Sequence, residues 1–229
     1  MELKRNVVIV YETSSTMDLA KELSNTFLPP FIVRSFIQTK GRGQYERKWQ
    51  STYGGLYFTE VLNLNNILGF STFLSIPILR VLKRYVEKVK VKWPNDIVIE
   101  KKKLGGILVE KSNLTFAGIG LNIQNDVKDV INSSISLKDF INIDKETIFW
   151  AILEEENNLI NDFFKHGFRN FKREYEENLA ILNRKTKVDL GYKIVEGVVV
   201  GVGVFGELLL DENGKMIDIF SGSIVNFYD

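Results

Sequence analysis

A glycine-rich basic loop is the first part of this sequence whose residue types suit the binding of an anion. The loop runs from Gln38 to Ser51, and Gly41 and Gly43 allow its backbone to approach a ligand closely. Nine positions of the loop hold four cationic side chains, which are Lys40, Arg42, Arg47 and Lys48. A phosphate would suit this composition, and the alternative interpretation is a solvated basic loop. A P-loop is excluded, because the chain nowhere has Gly, four residues, Gly, Lys and then Ser or Thr.

The second segment with chemical potential is LysTrpProAsnAsp at 92–96. Pro94 lacks a backbone donor and fixes φ just before two polar side chains, those of Asn95 and Asp96. A break between strands at this point would present both side chains to a ligand or to a metal-bound phosphate. The alternative is an ordinary Asx turn.

Two glycine-containing strand segments complete the set. Lys103 stands just before a glycine pair, 105–106, at the start of a predicted strand. Further on, Gly118 and Gly120 permit tight strand packing, with Asn122 facing a site. As a pattern on its own this last segment is weak, because glycine in a strand often marks only a bulge.

Composition excludes several classes of site. The chain has 229 residues, of which 45% are hydrophobic and 26% charged, as expected of a folded globular protein. The absence of cysteine and the single histidine exclude disulfides, a cysteine nucleophile and a zinc site with the usual nitrogen and sulfur ligands. That histidine, His166, lies in a polar helix-end context and is interpreted as a surface cap rather than a catalytic base.

Charge and hydropathy predict no DNA partner and no membrane partner. Thirty Lys and Arg against twenty-nine Asp and Glu leave a net charge of +1, so any anion site must be local. The apolar run at 7–10 is too short for a secretory signal, and no stretch of about eighteen apolar residues occurs. The expected location is the cytoplasm.

Apolar periodicity predicts the elements that must position these segments. Residues 6–11 favour a short buried strand, and Ser15 followed three residues later by Asp18 indicates a capped helix start. Further strands are expected at 31–37, at 56–62, from 91, and at 96–100, 107–110 and 114–123, and helices at 70–88, 146–164 and 168–180. Short turns between the later strands indicate an antiparallel run inside a mixed sheet.

The pattern changes after Asn183. Short strands with turn signals between them, including Asn213–Gly214, predict a small all-β module of roughly 45 residues. The expected organisation is therefore a larger domain at 1–182 followed by the small module at 183–229.

Taken in this order, the segments resemble those of biotin protein ligases, the enzymes that biotinylate carboxylases. The family signature is a GlyArgGly loop ending in Trp and Ser, then LysTrpProAsnAsp, then Lys before GlyIleLeuValGlu, then Gly, Gly and Asn, with a SerThr pair upstream. The matching residues are Ser15, Thr16, Gly41, Arg42, Gly43, Arg47, Trp49, Ser51, Lys92 to Asp96, Lys103, Gly106 to Glu110, Gly118, Gly120 and Asn122. The resemblance covers roughly residues 12–123 and is specific in the order of its motifs.

The resemblance implies a fold and a reaction. The fold is α+β, a mixed sheet with flanking helices like that of class II aminoacyl-tRNA synthetases, followed by a small SH3-like β-barrel. In the reaction, biotin and ATP give biotinyl-5′-adenylate and pyrophosphate, and a specific lysine of a biotin carboxyl carrier protein then takes the biotinyl group. Because the carboxylate of biotin is already a nucleophile, the first step needs charge neutralisation and alignment rather than a catalytic His or Cys.

The resemblance also implies a role for individual residues. Lys103 and Arg42 would be catalytic, by stabilising the reacting carboxylate and the α-phosphoryl oxygens. The residues that would bind biotin are Ser15, Thr16, Gln38, Gly41, Arg42, Gly43, Gln44, Lys103 and Gly106. Those that would bind ATP are Arg42, Trp49, Asn95, Asp96, Lys103 and Asn122. Mg²⁺ would be held through the ATP phosphates, with Asp96 as the candidate protein ligand.

Three positions depart from the family pattern. Gln44 stands where the loop usually has a second Arg, Glu46 where it often has Gly, and Met17 where Asn commonly follows SerThr. Loss of a cation at position 44 should weaken retention of the anionic adenylate, unless Arg47 or Lys48 compensates.

Other interpretations remain open at this stage. A lipoate or octanoate ligase is the nearest rival, although its ArgArg and GlyGlyGly motifs are not found here. A non-catalytic biotin sensor is the other, and it would be favoured if Lys103 or Arg42 were missing. Only fourteen residues precede Ser15, so a monofunctional ligase without the DNA-binding domain of some members is expected. A homodimer through sheet edges is compatible with the resemblance, but no residue decides it.

Overall fold

The computed structural model describes residues 3–127 and 133–227, which form two β-sheets with helices packed on the larger one. The strands of the larger sheet are β1 (Asn6–Thr13), β2 (Phe31–Gln38), β3 (Leu56–Leu62), β4 (Val89–Lys92), β5 (Asp96–Ile99), β6 (Lys102–Lys111) and β7 (Thr115–Leu121). Their order across the sheet is β1-β2-β3-β7-β6-β5-β4. Only β1 and β2 pair in parallel, so the predicted antiparallel run inside a mixed sheet is confirmed.

Four α-helices within the described residues flank this sheet. They are α1 (Thr16–Leu23), α2 (Phe70–Lys83), α3 (Lys145–His166) and α4 (Lys172–Glu177). Alternate residues of β2 face opposite sides, so Phe31 packs with Met17 of α1 while Ile32 belongs to the main core. On that second side, Phe58 of β3 meets Phe149 of α3 edge-on at 5.2 Å between ring centroids. No helix within the described ranges is long and apolar enough to cross a membrane.

The expected elements are present, and some boundaries differ for local reasons. The helix predicted to reach residue 88 ends at Lys83, because the chain turns there to enter β4. The helix predicted at 168–180 is shorter than expected: a 3-10 turn at Gly167–Phe171, which begins at a Gly167 with a positive φ of 68°, precedes α4, and α4 ends at Glu177. β6 begins at Lys102, five residues earlier than expected, so Lys103 lies in a strand.

The first strand is not buried as predicted. β1 pairs with β2 alone and forms one edge of the sheet. Ile9 is 49% exposed and Tyr11 66% exposed. An apolar run predicts a strand reliably, but whether a second strand covers it depends on the topology of the whole sheet.

The C-terminal part forms the expected small all-β module. Its strands are β8 (Lys185–Asp189), β9 (Ile194–Val202), β10 (Leu208–Glu212), β11 (Lys215–Ile219) and β12 (Ser223–Phe227), in the antiparallel order β11-β10-β9-β8-β12. Asn213 and Gly214 both have positive φ and join β10 to β11 in a tight hairpin, as predicted. Within the described residues no ladder joins β11 to β12, so the strand pairing is that of an open five-stranded sheet.

Specific contacts hold the small sheet against the larger one. The indole Nε1 of Trp93 donates to the carbonyl oxygen of Gly206 at 2.9 Å. The backbone N–H of Val202 donates to Oε1 of Glu176 on α4 at 2.9 Å. The first bond ties the small sheet to the LysTrpProAsnAsp segment, of which Trp93 is part, and the second ties it to α4.

Three charged side chains are buried beneath the large sheet. The guanidinium of Arg5 contacts the carboxyl groups of Glu60 on β3 and Glu156 on α3, and all three side chains are at most 3% exposed. Burial raises the pKa of Glu156 well above its usual range, and the carboxylate of Glu60 raises it further, while Arg5 opposes both. Since one guanidinium cannot neutralise two carboxylates, the raised pKa favours the protonated form of Glu156 in the folded chain.

Glu156→Gln should therefore stabilise the protein at high pH. The folded chain keeps a proton on Glu156 that the unfolded chain loses above an ordinary carboxyl pKa of about 4.3. The stability of the parent protein consequently falls as the pH rises from that value through the raised pKa of Glu156. Gln cannot titrate, so we expect a melting temperature several degrees higher than the parent at pH 8 and little difference at pH 4.

The matched control is Glu154→Gln, which removes a carboxylate from the exposed side of the same helix. Thermal unfolding followed by circular dichroism across this pH range measures both variants. Equal pH profiles for the parent and Glu156→Gln would contradict a protonated Glu156.

Candidate active site

One cavity of about 330 Å³ brings together the segments that the sequence singled out. Its walls come from the start of α1, the basic loop, strands β3 to β7 and, from the small sheet, β12. The predicted site residues that line it are Ser15, Thr16, Gln38, Arg42, Gly43, Gln44, Trp49, Asn95, Asp96, Lys103, Gly106 and Asn122. Gly41 is the one predicted residue that does not line it.

Gly41 supports the wall of the cavity without lining it. A Cβ at this position would lie 2.6 Å from both Oγ of Ser51 and the carbonyl oxygen of Trp49. Trp49 N–H donates to the carbonyl oxygen of Gly41 at 2.8 Å, which closes the loop on itself. Only glycine allows this close approach of the two sides of the loop.

A hydrogen-bonded polar group forms one end of the cavity. Oε1 of Gln38 accepts bonds from the backbone N–H of Thr16 at 2.7 Å and from its hydroxyl at 3.1 Å. Nε2 of Gln38 donates to Oγ of Ser51 at 2.8 Å, and the hydroxyls of Thr16 and Thr59 lie 2.9 Å apart. Ser15 caps α1 by accepting from the N–H of Asp18, as the sequence predicted.

Thr59 is a residue that sequence reasoning missed. It is fully buried on β3 and has no motif around it. Side chains alternate along β3, so Thr59 faces α1 and Glu60 faces α3. The strand pattern could have predicted that these two residues lie on opposite sides of the sheet. It could not have predicted which side carries the cavity.

Met17, one of the three departures from the family pattern, lies in the apolar part of the wall. It is 3% exposed, lines the cavity and packs with Phe31 and Val33. A Cβ on Gly118 would lie 3.0 Å from its Cε, so the strand and the methionine fit closely.

Lys103 lies at the centre of the cavity between a carboxylate and an aromatic ring. Its Nζ is 2.5 Å from Oδ1 of Asp96 and 5.3 Å from the centroid of the Trp49 ring. The Lys103 side chain is 35% exposed, so its ammonium remains accessible to a ligand. Trp49 in turn packs over Gly120, where a Cβ would lie 2.6 Å from the indole Nε1.

Lys92 is a second cavity lysine, which the sequence placed in a motif without giving it a role. It is half-buried and lines the same cavity. Burial lowers the pKa of Lys92, and the positive charges of Lys103 and Arg47 lower it further, while Asp96 raises it. The position of Lys92 as the first residue of the LysTrpProAsnAsp motif was the signal that could have identified it as a site residue.

Asn95 and Asn122 line the cavity while bonding to the backbone around it. The Asn95 amide donates to the carbonyl oxygen of Ile107, whose N–H donates to the carbonyl oxygen of Asn95. Asn122 donates to the carbonyl oxygen of Ile135 at 3.2 Å and accepts from Asn125 at 3.0 Å. Both side chains therefore brace the cavity wall, and a direct contact with nucleotide stays a prediction.

The small sheet supplies residues that the sequence did not place in a site. Ser223 and Ile224 of β12 line the cavity. Nη2 of Arg47 lies 3.5 Å from Oγ of Ser223, so the basic loop meets the small sheet at this end. No local signal could have found them, because their position depends on how the two sheets pack.

His166 lies outside this site. It is the last residue of α3, its side chain is 54% exposed, and Nδ1 is 2.6 Å from Oδ1 of Asp162 on the same helix. Its predicted position on the surface at a helix end is confirmed.

The charge of the cavity determines the ligand that it can take. Among the described residues that line it, five are cationic (Arg42, Arg47, Lys48, Lys92 and Lys103) and one, Asp96, is a carboxylate. Such a cavity favours an anionic ligand, and its cations can neutralise negative charge on that ligand. With no cysteine and a remote histidine, it suits a reaction whose nucleophile arrives with the substrate.

Comparison with known proteins places this geometry in context. Residues 9–123 match the model of the Biotin/lipoate A/B protein ligase family. The chain is 30% identical over 203 residues to the bifunctional ligase/repressor BirA of Escherichia coli, an alignment that covers 82% of this chain and 63% of that protein. It is 25% identical over 242 residues to the biotin–[acetyl-CoA-carboxylase] ligase of Mycobacterium tuberculosis, covering 97% of this chain and 89% of that protein.

The fold is also similar to solved structures. The biotin protein ligase of Aquifex aeolicus, solved in complex with biotin and ATP, superposes with a TM-score of 0.86 at 27% identity. The superposition covers 96% of this chain and 97% of that one. Both sheets of the present chain are therefore included in the similarity.

Gly120→Ala tests how closely Trp49 is fitted into the site. The new Cβ would collide with the indole Nε1, and since a side chain can move, we expect Trp49 to shift while the fold is kept. Tryptophan emission should change, and this change should vanish in a Trp49→Phe background. Gly118→Ala on the same strand contacts Met17 instead and serves as the control. An unchanged emission spectrum in Gly120→Ala would contradict this packing.

Proposed function

The chain belongs to the biotin/lipoate A/B protein ligase family, and from this membership we propose that it is a biotin protein ligase. It would convert biotin and ATP to biotinyl-5′-adenylate and then transfer the biotinyl group to a lysine of a biotin carboxyl carrier protein. The arrangement that carries the proposal is the cavity in which Lys103 and Arg42 lie with the Thr16–Gln38 hydrogen-bonded group. The relatives named as ligases above support the choice of reaction.

The polar end of the cavity suits the head group of biotin. A ureido ring offers one carbonyl acceptor and two N–H donors, and the hydroxyls of Ser15 and Thr16 and the amide of Gln38 can meet both kinds of group. Gly43, Gln44 and Gly106 line the space that leads from there to Lys103, and Met17 gives it an apolar wall. Gly41 supports this wall by allowing the loop to close.

The first step would take place between Arg42 and Lys103. A carboxylate oxygen of biotin forms a bond to the α-phosphorus of ATP, while the bond from that phosphorus to pyrophosphate breaks. Lys103 and Arg42 would neutralise the negative charge shared by the carboxylate and the α-phosphoryl oxygens, and would hold them in line. No protein nucleophile is required.

The nucleotide would occupy the part of the cavity near Trp49. The indole offers a flat apolar surface for the base, and Asn95, Asp96 and Asn122 border this region. In the second step, the amine of the acceptor lysine attacks the biotinyl carbonyl carbon and AMP leaves. We propose residues 1–182 as the unit that binds biotin and ATP, with 183–229 closing the nucleotide end through Ser223 and Ile224.

The side chains fit a magnesium ion only as a companion of ATP. Within the described residues, no group of three or more His, Cys, Asp or Glu could hold a metal ion by itself. Asp96 is the carboxylate that borders the cavity, and phosphate oxygens would complete the ligand set. When bound, the ion supplies further neutralisation of phosphate charge.

Pyrophosphate release tests the proposal directly. ATP is supplied with biotin, lipoate or octanoate in the absence of any acceptor protein. A burst of about one equivalent with biotin alone is the expected result, because the adenylate stays bound after one turnover. Tight calorimetric binding of biotin without release would indicate a sensor instead, and release with lipoate would indicate a different substrate.

Lys103→Ala should abolish adenylation and keep the fold. Removal of one preorganised charged contact of this kind commonly costs a factor on the order of 10² to 10³ in rate. Lys102→Ala, which removes the exposed neighbouring lysine, is the control and should keep the parent rate. Biotin-dependent pyrophosphate release measures both, and near-parent activity of Lys103→Ala would remove Lys103 from the mechanism.

Gln44→Arg should slow the loss of the adenylate. Gln44 lines the cavity without a positive charge, so an added guanidinium would attract the anionic intermediate. The dissociation rate is measured by chasing labelled adenylate with excess biotin and ATP. A rate equal to that of the parent would indicate that the cations already present, including Arg47 and Lys48, retain the intermediate.

A further inference from the structure

Two carboxylates hold Arg42 from outside the cavity. Nη1 of Arg42 lies 2.5 Å from Oδ1 of Asp18 on α1, and its Nε lies 3.6 Å from Oε1 of Glu110 on β6. Arg42 lines the cavity, whereas Asp18 and Glu110 are not part of its wall. The two carboxylates therefore contact Arg42 without lining the cavity themselves.

A fourth charged side chain, that of Lys21, lies beside Arg42, Asp18 and Glu110. Nζ of Lys21 lies 2.5 Å from Oε2 of Glu110, and Lys21 is one turn after Asp18 on α1. Two cations and two anions thus join α1, the basic loop and β6. The two positive and two negative charges of this group cancel. The group can therefore fix Arg42 without adding a net charge at the edge of the cavity.

We propose that Asp18 and Glu110 are positioning residues for Arg42 in the ligase reaction, an inference that rests on the proposed function. Arginine is a long side chain with many rotamers, and contacts at two different nitrogens fix both its reach and the rotation of its guanidinium plane. Arg42 is then oriented before the substrates bind. Alignment achieved in advance lowers the barrier of the chemical step more than it changes substrate binding.

These ion pairs contribute little to the stability of the fold. Asp18 is 47% exposed and Glu110 32% exposed, and ion pairs at such positions are strongly screened by solvent. A variant that removes the carboxylate of Asp18 should therefore unfold at nearly the parent temperature. This separates a role in catalysis from a role in folding.

Asp18→Asn is the test variant, and Glu22→Gln is its matched control, since it removes an exposed carboxylate from the same helix. Biotin-dependent pyrophosphate release is followed under single-turnover conditions without acceptor. We expect the maximal rate of Asp18→Asn to fall about tenfold, with a smaller change in KM for ATP, because a misplaced charged group chiefly affects the transition state. Asp18→Glu keeps the carboxylate and should recover most of the rate.

A double-mutant cycle with Arg42→Ala gives the decisive readout. If Asp18 acts through Arg42, Asp18→Asn should change the rate by less than about twofold once Arg42 is absent. Equal rates for Asp18→Asn and Glu22→Gln, or a tenfold loss that persists in the Arg42→Ala background, would overturn this inference alone. Absence of biotin-dependent pyrophosphate release from the parent would overturn the proposed function and this inference with it.

Discussion

Mutual repulsion among cations is the constraint on which the site depends. Among the described residues, five cationic side chains line one cavity, and like charges that share a small volume repel each other. The structure offsets this repulsion with carboxylates at particular positions. Asp96, which lines the cavity, pairs with Lys103, whereas Asp18 and Glu110, which do not line it, pair with Arg42. The lowered pKa of Lys92 reflects burial together with the repulsion that remains.

Glycine makes the same arrangement sterically feasible. Gly41 allows the two sides of the basic loop to meet, and Gly120 leaves room for the indole of Trp49 above β7. Trp49 then provides the aromatic surface over which the ammonium of Lys103 lies. A cation fixed by a carboxylate and a ring keeps its position without being enclosed, so it remains available to a substrate anion.

The small sheet, at the end of the chain, also helps to form the site. Trp93, between strand β4 and the site residues Asn95 and Asp96, donates a hydrogen bond to Gly206 in the loop between β9 and β10 of the small sheet. The same sheet contributes Ser223 to the cavity wall beside Arg47. Displacement of this sheet would therefore disturb two walls of the cavity together.

Local sequence determined the kinds of element and predicted many of the residues that line the cavity. Ser15 predicted a capped helix, and Asn213–Gly214 predicted a hairpin. The motifs from Ser15 to Asn122 identified residues that the fold brings to one cavity. These predictions were possible because caps, turns and motifs depend on neighbouring residues. Tertiary structure decided what depends on distant parts of the chain. Packing between segments far apart in sequence sets the edge position of β1 and the burial of Glu156 beside Glu60. It also places Thr59 and Ser223 in the cavity wall and pairs Arg42 with Asp18 and Glu110. Charge and burial at such contacts depend on the whole fold, and no local pattern encodes them.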